Sequence, residues 1–282
     1  MKLMRVGVFG QETPVVLCDG RYYDLRPLTP DIDGTFLESD GLHRAQIALD
    51  SGELPTVEIT GQRIGAPIAR PGAVHCIGQN YAAHAAESGA VPPEEPILFH
   101  KLPNTVVGPY DEIEIPVGSW RTDWEVELGI VVGRRAHYLE TLGEARGCVA
   151  GFVTSNDVSE RAFQLGRPGG QWAKGKCCPT FNPVGPWLVP AFAVPDPGVL
   201  EVRSWVNGEP RQASKTSDMI FNVAEIVWHL SQFLVLEPGD LINTGTPEGV
   251  ALSGRFDYLR PEDVVEVEVS GLGRQRNVCK RA

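Results

Sequence analysis

The chain is short of positive charge, of paired cysteines and of long apolar runs, and each shortage removes a class of function. Against 36 Asp and Glu stand 25 Lys and Arg, a formal net charge of -11, with no Lys/Arg-rich face along the sequence. A nucleic-acid partner is therefore not expected. Nowhere do about 18 uncharged apolar residues run together, and the apolar stretches of the amino-terminal MKLMRVGVFGQETPVVL are too short and too interrupted for a secretion signal. A cytoplasmic chain with no membrane partner is expected. Cys18, Cys76, Cys148, Cys177, Cys178 and Cys279 form no CxxC pair and no disulfide framework, so thiols and no zinc site are expected. Neither GxSxG, GxxxxGK[ST], HExxH nor a strand-embedded GxGxxG is present, which sets aside serine hydrolases, P-loop enzymes, zincins and Rossmann dehydrogenases.

What is present is strand pattern. Residues 3 to 9 and 15 to 25 read as short strands, with Asp19-Gly20 as a two-residue hairpin turn. LHRAQIALDSG at 42 to 52 reads as a helix, and the Pro/Gly-containing GAPIARPGAV at 65 to 74 as a linker. The expected organisation is a small β-rich amino-terminal domain, 1–70, before a larger domain, 71–282. In the latter, β-branched runs such as AVHCIG, WEVELGIVVG, GCVAGFVTSN and VVEVEV recur between turns. Helices are expected only at 80 to 88, 158 to 165 and 222 to 236. The class is α+β with a β-rich core.

Five segments hold candidate chemistry, and each has an ordinary reading beside the functional one. In DWEVELG the strand period puts Asp123, Glu125 and Glu127 on one face. That pattern fits an acidic face in water, or a hard divalent cation sitting between like charges that would otherwise repel. Asp157, after GCVAGFVTSN and before VSERAFQL, fits a helix N-cap or a carboxylate at a strand end reaching for a ligand. His84 and Glu87 share one side of a helix at a spacing of three. They are either a surface pair or an imidazole oriented by a carboxylate to take a proton from water. Lys174 and Lys176 lie in a Gly-rich loop, exposed or placed to meet an anion, and TGTPEGV at 244 to 250 is a tight turn or an anion-binding one.

In their order, CIGQNYAAHAAE, DWEVELG, SNDVSERAFQ, QWAKGK and NTGTPEGV resemble the fumarylacetoacetate hydrolase superfamily over residues 71 to about 276. The resemblance implies a mixed β-roll catalytic fold, a homodimer, and magnesium or manganese held by Glu125, Glu127 and Asp157. It further implies His84 and Glu87 as a water-activating pair on a lid, Lys176 as the site lysine, Gln164 and Thr246 at the substrate's oxo-acid end, and a structural Arg161. GDLINTGTPEGVAL and GLGRQR are similar to members acting on 2,4-diketo-3-deoxy sugar acids. The chain departs from many relatives in carrying Cys177-Cys178-Pro179 after the lysine, which bears on loop shape.

The implied reaction is metal-dependent hydrolysis of a 2,4-dioxo acid, acylpyruvate or 2,4-diketo-3-deoxy sugar acid, to pyruvate and a second acid. Water deprotonated by His84 attacks the C4 carbonyl, and Lys176 steadies the developing charge. Within the same superfamily the competing activity is decarboxylation or isomerisation of oxaloacetate or a hydroxy-dienedioate. A non-catalytic metal-dependent oxo-acid binder is the reading of another class, marked by a lid helix that never closes over the metal or by Lys176 pointing away from it.

Overall fold

Short strands closed by tight turns build most of the regular structure. The computed structural model describes residues 1–87, 89 and 91–282. At the amino terminus β1 (Lys2–Val6), β2 (Thr13–Cys18) and β3 (Arg21–Asp24) form an antiparallel three-stranded sheet. Asp19 and Gly20 both take positive φ, the backbone a two-residue hairpin demands. Two helices follow, α1 (Gly34–Glu38), capped by Asp33, and α2 (Gly41–Asp50), where the sequence pattern predicts one.

The remainder is organised by two larger sheets. The first runs Val189–Pro190, Val149–Asn156, Val126–Val132, Leu241–Asn243, β4 (Val74–Gly78) and β5 (Ile97–Lys101). Leu241–Asn243 and β4 pair in parallel, and the other neighbours are antiparallel. The second runs Glu209–Lys215, Glu201–Val206, Val264–Val269, Gly273–Arg281 and Ile113–Ile115. In VVEVEV the alternation buries Val265, Val267 and Val269 and leaves their neighbours half-buried. Those valines join Trp124, Leu128 and Ile130 in one core shared by both sheets, each stabilising the fold by roughly 1.5–3 kcal/mol. A second core packs Leu3, Val16, Phe36 and Ala45 against Val74, Val131, Val153 and Leu241 of the central sheet. The architecture is the expected mixed one, with several sheets and few helices, and no described helix is long and apolar enough to cross a membrane.

Two expected helices are shorter than their patterns. Ser159 and Glu160 pair with Asp123 and Thr122 as strand, so helix is confined to Arg161–Gln164. The helix Val223–Ser231, capped by Asn222, stops short of 236, because Leu236 is drawn into two 2.9 Å backbone hydrogen bonds with Ala136. The helix expected over 80 to 88 is α3 (Ala82–Glu87), and Ser88 lies outside the described residues.

Candidate active site

Strand register assembles the acidic residues. Ser155 lies opposite Glu127 and Asn156 opposite Val126, so the chain leaving the strand passes beside Glu125. There the Asp157 N–H donates to the Glu125 carbonyl at 2.9 Å, and Asn156 Oδ1 accepts the Glu125 N–H at 3.0 Å. One carboxylate oxygen from each of Glu125, Glu127 and Asp157 then falls within 4.8 Å of the others. All three residues are buried, so the acidic face does not lie in water. Asp123 turns aside to accept the Ala251 and Leu252 N–H groups and the Arg161 guanidinium. Nor is Asp157 an N-cap, since Glu160 caps the short helix by accepting from Ala162 N–H.

Three buried cations answer these carboxylates. Lys176 Nζ lies 2.6 Å from Glu125 Oε2 and 2.7 Å from Asp157 Oδ2. Arg161 donates from Nε to Asp123 at 2.9 Å, from Nη2 to Glu125 at 2.6 Å and from Nη1 to Gln164 at 3.0 Å. Lys101 Nζ donates to Asp157 Oδ1 at 2.5 Å and to the Val158 carbonyl at 3.0 Å. Lys174 stays exposed, while Lys176 points at the carboxylates, contrary to one of the two marks of a non-catalytic binder. It is delivered by the helix Trp172–Lys176, which packs so closely that a Cβ on Gly175 would come within 2.5 Å of the Glu160 carbonyl oxygen. Lys101 carries no distinguishing signal in the sequence, and Asp123, which the strand period groups with Glu125 and Glu127, is the one acid of that face turned away from the cluster. The pattern ILFHK places Lys101 beside Phe99 on a strand face, and only the folded sheet brings that face to Asp157.

The charges do not cancel. Asp123, Glu125, Glu127 and Asp157 face Lys101, Arg161 and Lys176, four against three. Burial alone would raise the Glu125 carboxyl, but Lys176 and Arg161 outweigh it and hold Glu125 well below the usual carboxylate range. Glu127 is pushed up, by burial first and then by the Asp157 and Glu125 charges. It accepts the Gly245 N–H at 2.7 Å, and no cation reaches it among the described residues. An unmatched carboxylate beside two others, all hard oxygen donors in a buried pocket, fits a divalent ion of the magnesium or manganese type. Such an ion would remove the repulsion that raises Glu127.

Glu125, Glu127, Arg161 and Lys176 open onto a cavity of about 290 Å³. His84, Glu87, Gln164 and Thr246 border it together with Glu125 and Lys176. His84 Nδ1 lies 3.5 Å from Glu87 Oε1, longer than a good hydrogen bond. Glu87 is instead held by the Gly249 N–H, 3.1 Å from each of its carboxylate oxygens, and by Arg255. Burial raises the Glu87 carboxyl, but His84, Gly249 and Arg255 together bring it below its ordinary value. The 244 to 250 turn spends its donors on the protein. Thr244 and Thr246 hydroxyls donate to the Leu128 and Val126 carbonyls, and the Gly245 and Gly249 amides serve Glu127 and Glu87. Gln212, which has no sequence signal, donates to the Thr246 hydroxyl and accepts from Val126 N–H, fixing the turn to the strand. The six cysteines are free thiols, and burial lifts Cys178 to about 11, so it is no nucleophile near neutral pH.

The chain is similar to known proteins over its whole length. Residues 73–280 match the family model described as fumarylacetoacetate (FAA) hydrolase C-terminal. A Burkholderia multivorans protein named "Putative hydrolase" is 46% identical, with 100% of each chain covered. A solved 2-hydroxyhepta-2,4-diene-1,7-dioate isomerase from Mycobacterium marinum is 30% identical with a TM-score of 0.76, covering 100% of this chain and 98% of that one. A maleylpyruvate hydrolase from Sphingobium sp. SYK-6, solved with manganese(II) and pyruvate, is 24% identical with a TM-score of 0.82 over 100% of both chains, and shares the fold. The chain belongs to the fumarylacetoacetate hydrolase family.

Proposed function

We propose that this member of the family is a metal-dependent hydrolase that cleaves the carbon-carbon bond of a 2,4-dioxo acid, an acylpyruvate or 2,4-diketo-3-deoxy sugar acid, to pyruvate and a second acid. The observation that carries the reading is a buried histidine and a buried lysine opening onto one cavity with the carboxylate cluster. Glu125, Glu127 and Asp157 would hold magnesium or manganese, which when bound would supply Lewis-acid polarisation of the substrate's oxo-acid end. Arg161 orients Glu125 and Gln164, leaving Gln164 to meet the oxo-acid end. Thr246 shapes the floor there, its hydroxyl hydrogen committed to Val126.

His84 takes a proton from water, and the resulting hydroxide adds to C4. The C3–C4 bond then breaks, with its electron pair passing to C3 and into the 2-oxo oxygen, where the Lys176 ammonium balances it. The proton on His84 returns to C3. One water is consumed, and pyruvate and a carboxylic acid result. Closure of Glu87 onto His84 Nδ1 would fix the imidazole with Nε2 free to accept the proton.

A second reading is isomerisation or decarboxylation, which needs proton movement at carbon but no attacking water. It is favoured by the hold of Gly249 and Arg255 on Glu87, and an isomerase is among the 30% identical structures. The test is pyruvate release with and without magnesium or manganese from an acylpyruvate and from oxaloacetate. The hydrolase reading expects metal-dependent pyruvate plus the matching acid from the acylpyruvate. Product from oxaloacetate alone would favour the second reading as a decarboxylase, no metal-dependent product from either would exclude hydrolysis and decarboxylation, and conversion of a hydroxy-dienedioate without pyruvate release would mark an isomerase.

A further inference from the structure

The cavity has two chemically different halves, and its second half speaks to the part of the substrate beyond C4. Resting on the hydrolase reading above, we infer that this chain selects 2,4-dioxo acids whose C4 substituent is an uncharged hydrocarbon chain or ring, through a wall built by Phe99, Trp172, Leu165 and Leu252. These four line the same cavity as Glu125 and Lys176.

The wall begins where the charged cluster stops. Lys176 Nζ sits 5.0 Å from the centre of the Phe99 ring, and Phe99 meets Trp172 edge to face at 5.4 Å and 74°. Two short steps thus lead from the ammonium that faces the oxo-acid end to an aromatic surface. Trp172 lies on Gly78 at the end of β4, where a Cβ would approach its ring to 3.0 Å, so the indole is seated on the sheet. Leu165 follows the Arg161–Gln164 helix and is 48% exposed, which puts an apolar side chain at the solvent edge.

Charge inside the cavity argues the same way. Among the described residues lining it, the permanent cations are Arg161 and Lys176, both spent on Asp123, Glu125 and Asp157, and His84 is taken by the attacking water. Arg255 beside the lid is engaged by Glu87. A second carboxylate on the substrate's far arm would meet Glu87 and the apolar wall with no permanent cation free to pair with it, and charge stripped of water without a counter-charge is penalised heavily. A polyhydroxylated arm laid on Phe99, Trp172, Leu165 and Leu252 would likewise exchange water for hydrocarbon. An alkyl or aryl arm loses nothing on desolvation and gains contact with both rings.

The experiment is a kcat/KM series with metal present, using acetylpyruvate, benzoylpyruvate, maleylpyruvate and a 2,4-dioxo acid hydroxylated beyond C4, read by pyruvate release. The expected order places benzoylpyruvate and acetylpyruvate at least about tenfold above the other two, the scale of discrimination a hydrophobic pocket supplies. Leu165→Arg, a change at an exposed position, is expected to raise the relative rate on maleylpyruvate, and Trp172→Ala to lower benzoylpyruvate turnover more than acetylpyruvate turnover. Wild-type preference for maleylpyruvate or the hydroxylated acid would overturn the wall's role while leaving the hydrolase reading standing. Equal losses on both acylpyruvates in Trp172→Ala would also overturn it. Pyruvate from none of the four would remove the hydrolase reading and this inference with it.

Discussion

The two halves of the cavity are built differently. At the oxo-acid end, Glu125, Asp157, Lys101, Lys176 and Arg161 are fully buried, each with charged partners within 2.9 Å, and the carboxylates come from the central sheet and the turn after it. At the other end, His84 and Glu87 ride on a six-residue helix, Leu165 on the end of a four-residue one, and the contacts are longer or partly exposed. The difference teaches where each property is placed. Activation of an oxo acid needs fixed charges, and Lys176 and Arg161, though carried on short helices, are fixed by the buried carboxylates they pair with, whereas His84, Glu87 and Leu165 have longer or more exposed contacts that small sequence changes can re-aim.

Substitutions that break the rigid half should have the largest effects. Lys176→Met leaves Glu125 and Asp157 buried without the ammonium between them. It is expected to lower stability by about 3–5 kcal/mol, the cost of breaking a buried ion pair from one side, and to reduce turnover by at least about 10²-fold. Thermal denaturation and pyruvate release check both. His84→Ala, in the other half, is expected to lose about 10² to 10⁴-fold in hydrolysis while keeping the metal-dependent rise in Tm. Unchanged turnover in that variant would remove His84 as the base.

A smaller effect tests the hold on the lid. Glu87 has a folded pKa below its ordinary value. Its contribution is therefore fully present above the ordinary glutamate pKa and is lost as pH falls through the depressed one. Arg255→Gln removes one of the groups that depress it, and is expected to move the acid limb of the activity profile upward with a change in kcat of less than about tenfold. An acid limb that stays where it was would show that Arg255 does not act through Glu87.

The two halves were also unequally legible in the sequence. Glu125, Glu127 and Asp157 stand out because a period-two acidic strand and a strand-end aspartate are local patterns, and the register that joins them follows from neighbouring strands. His84 and Glu87 are visible as a helical pair. Lys101 and Gln212 are not, because their partners lie 56 and 34 residues away and neither sits in a local motif. The helices at 158 to 165 and 222 to 236 were overestimated for a similar reason. Long-range pairing of Ser159 with Asp123 and of Leu236 with Ala136 overrides the local pattern.

The unmatched Glu127 carboxylate gives the central claim its most direct test. Thermal denaturation of chelator-treated protein, titrated with magnesium and with manganese, should show a Tm that climbs with metal, by about 2.7 kcal/mol of added stability at 100 times Kd. In Glu127→Gln the metal-free protein should be no less stable than wild type, because a buried unpaired charge is gone, and the metal-dependent rise should vanish together with pyruvate release from an acylpyruvate. A Glu127→Gln protein that still gains stability from metal and still releases pyruvate at the wild-type rate would contradict the account.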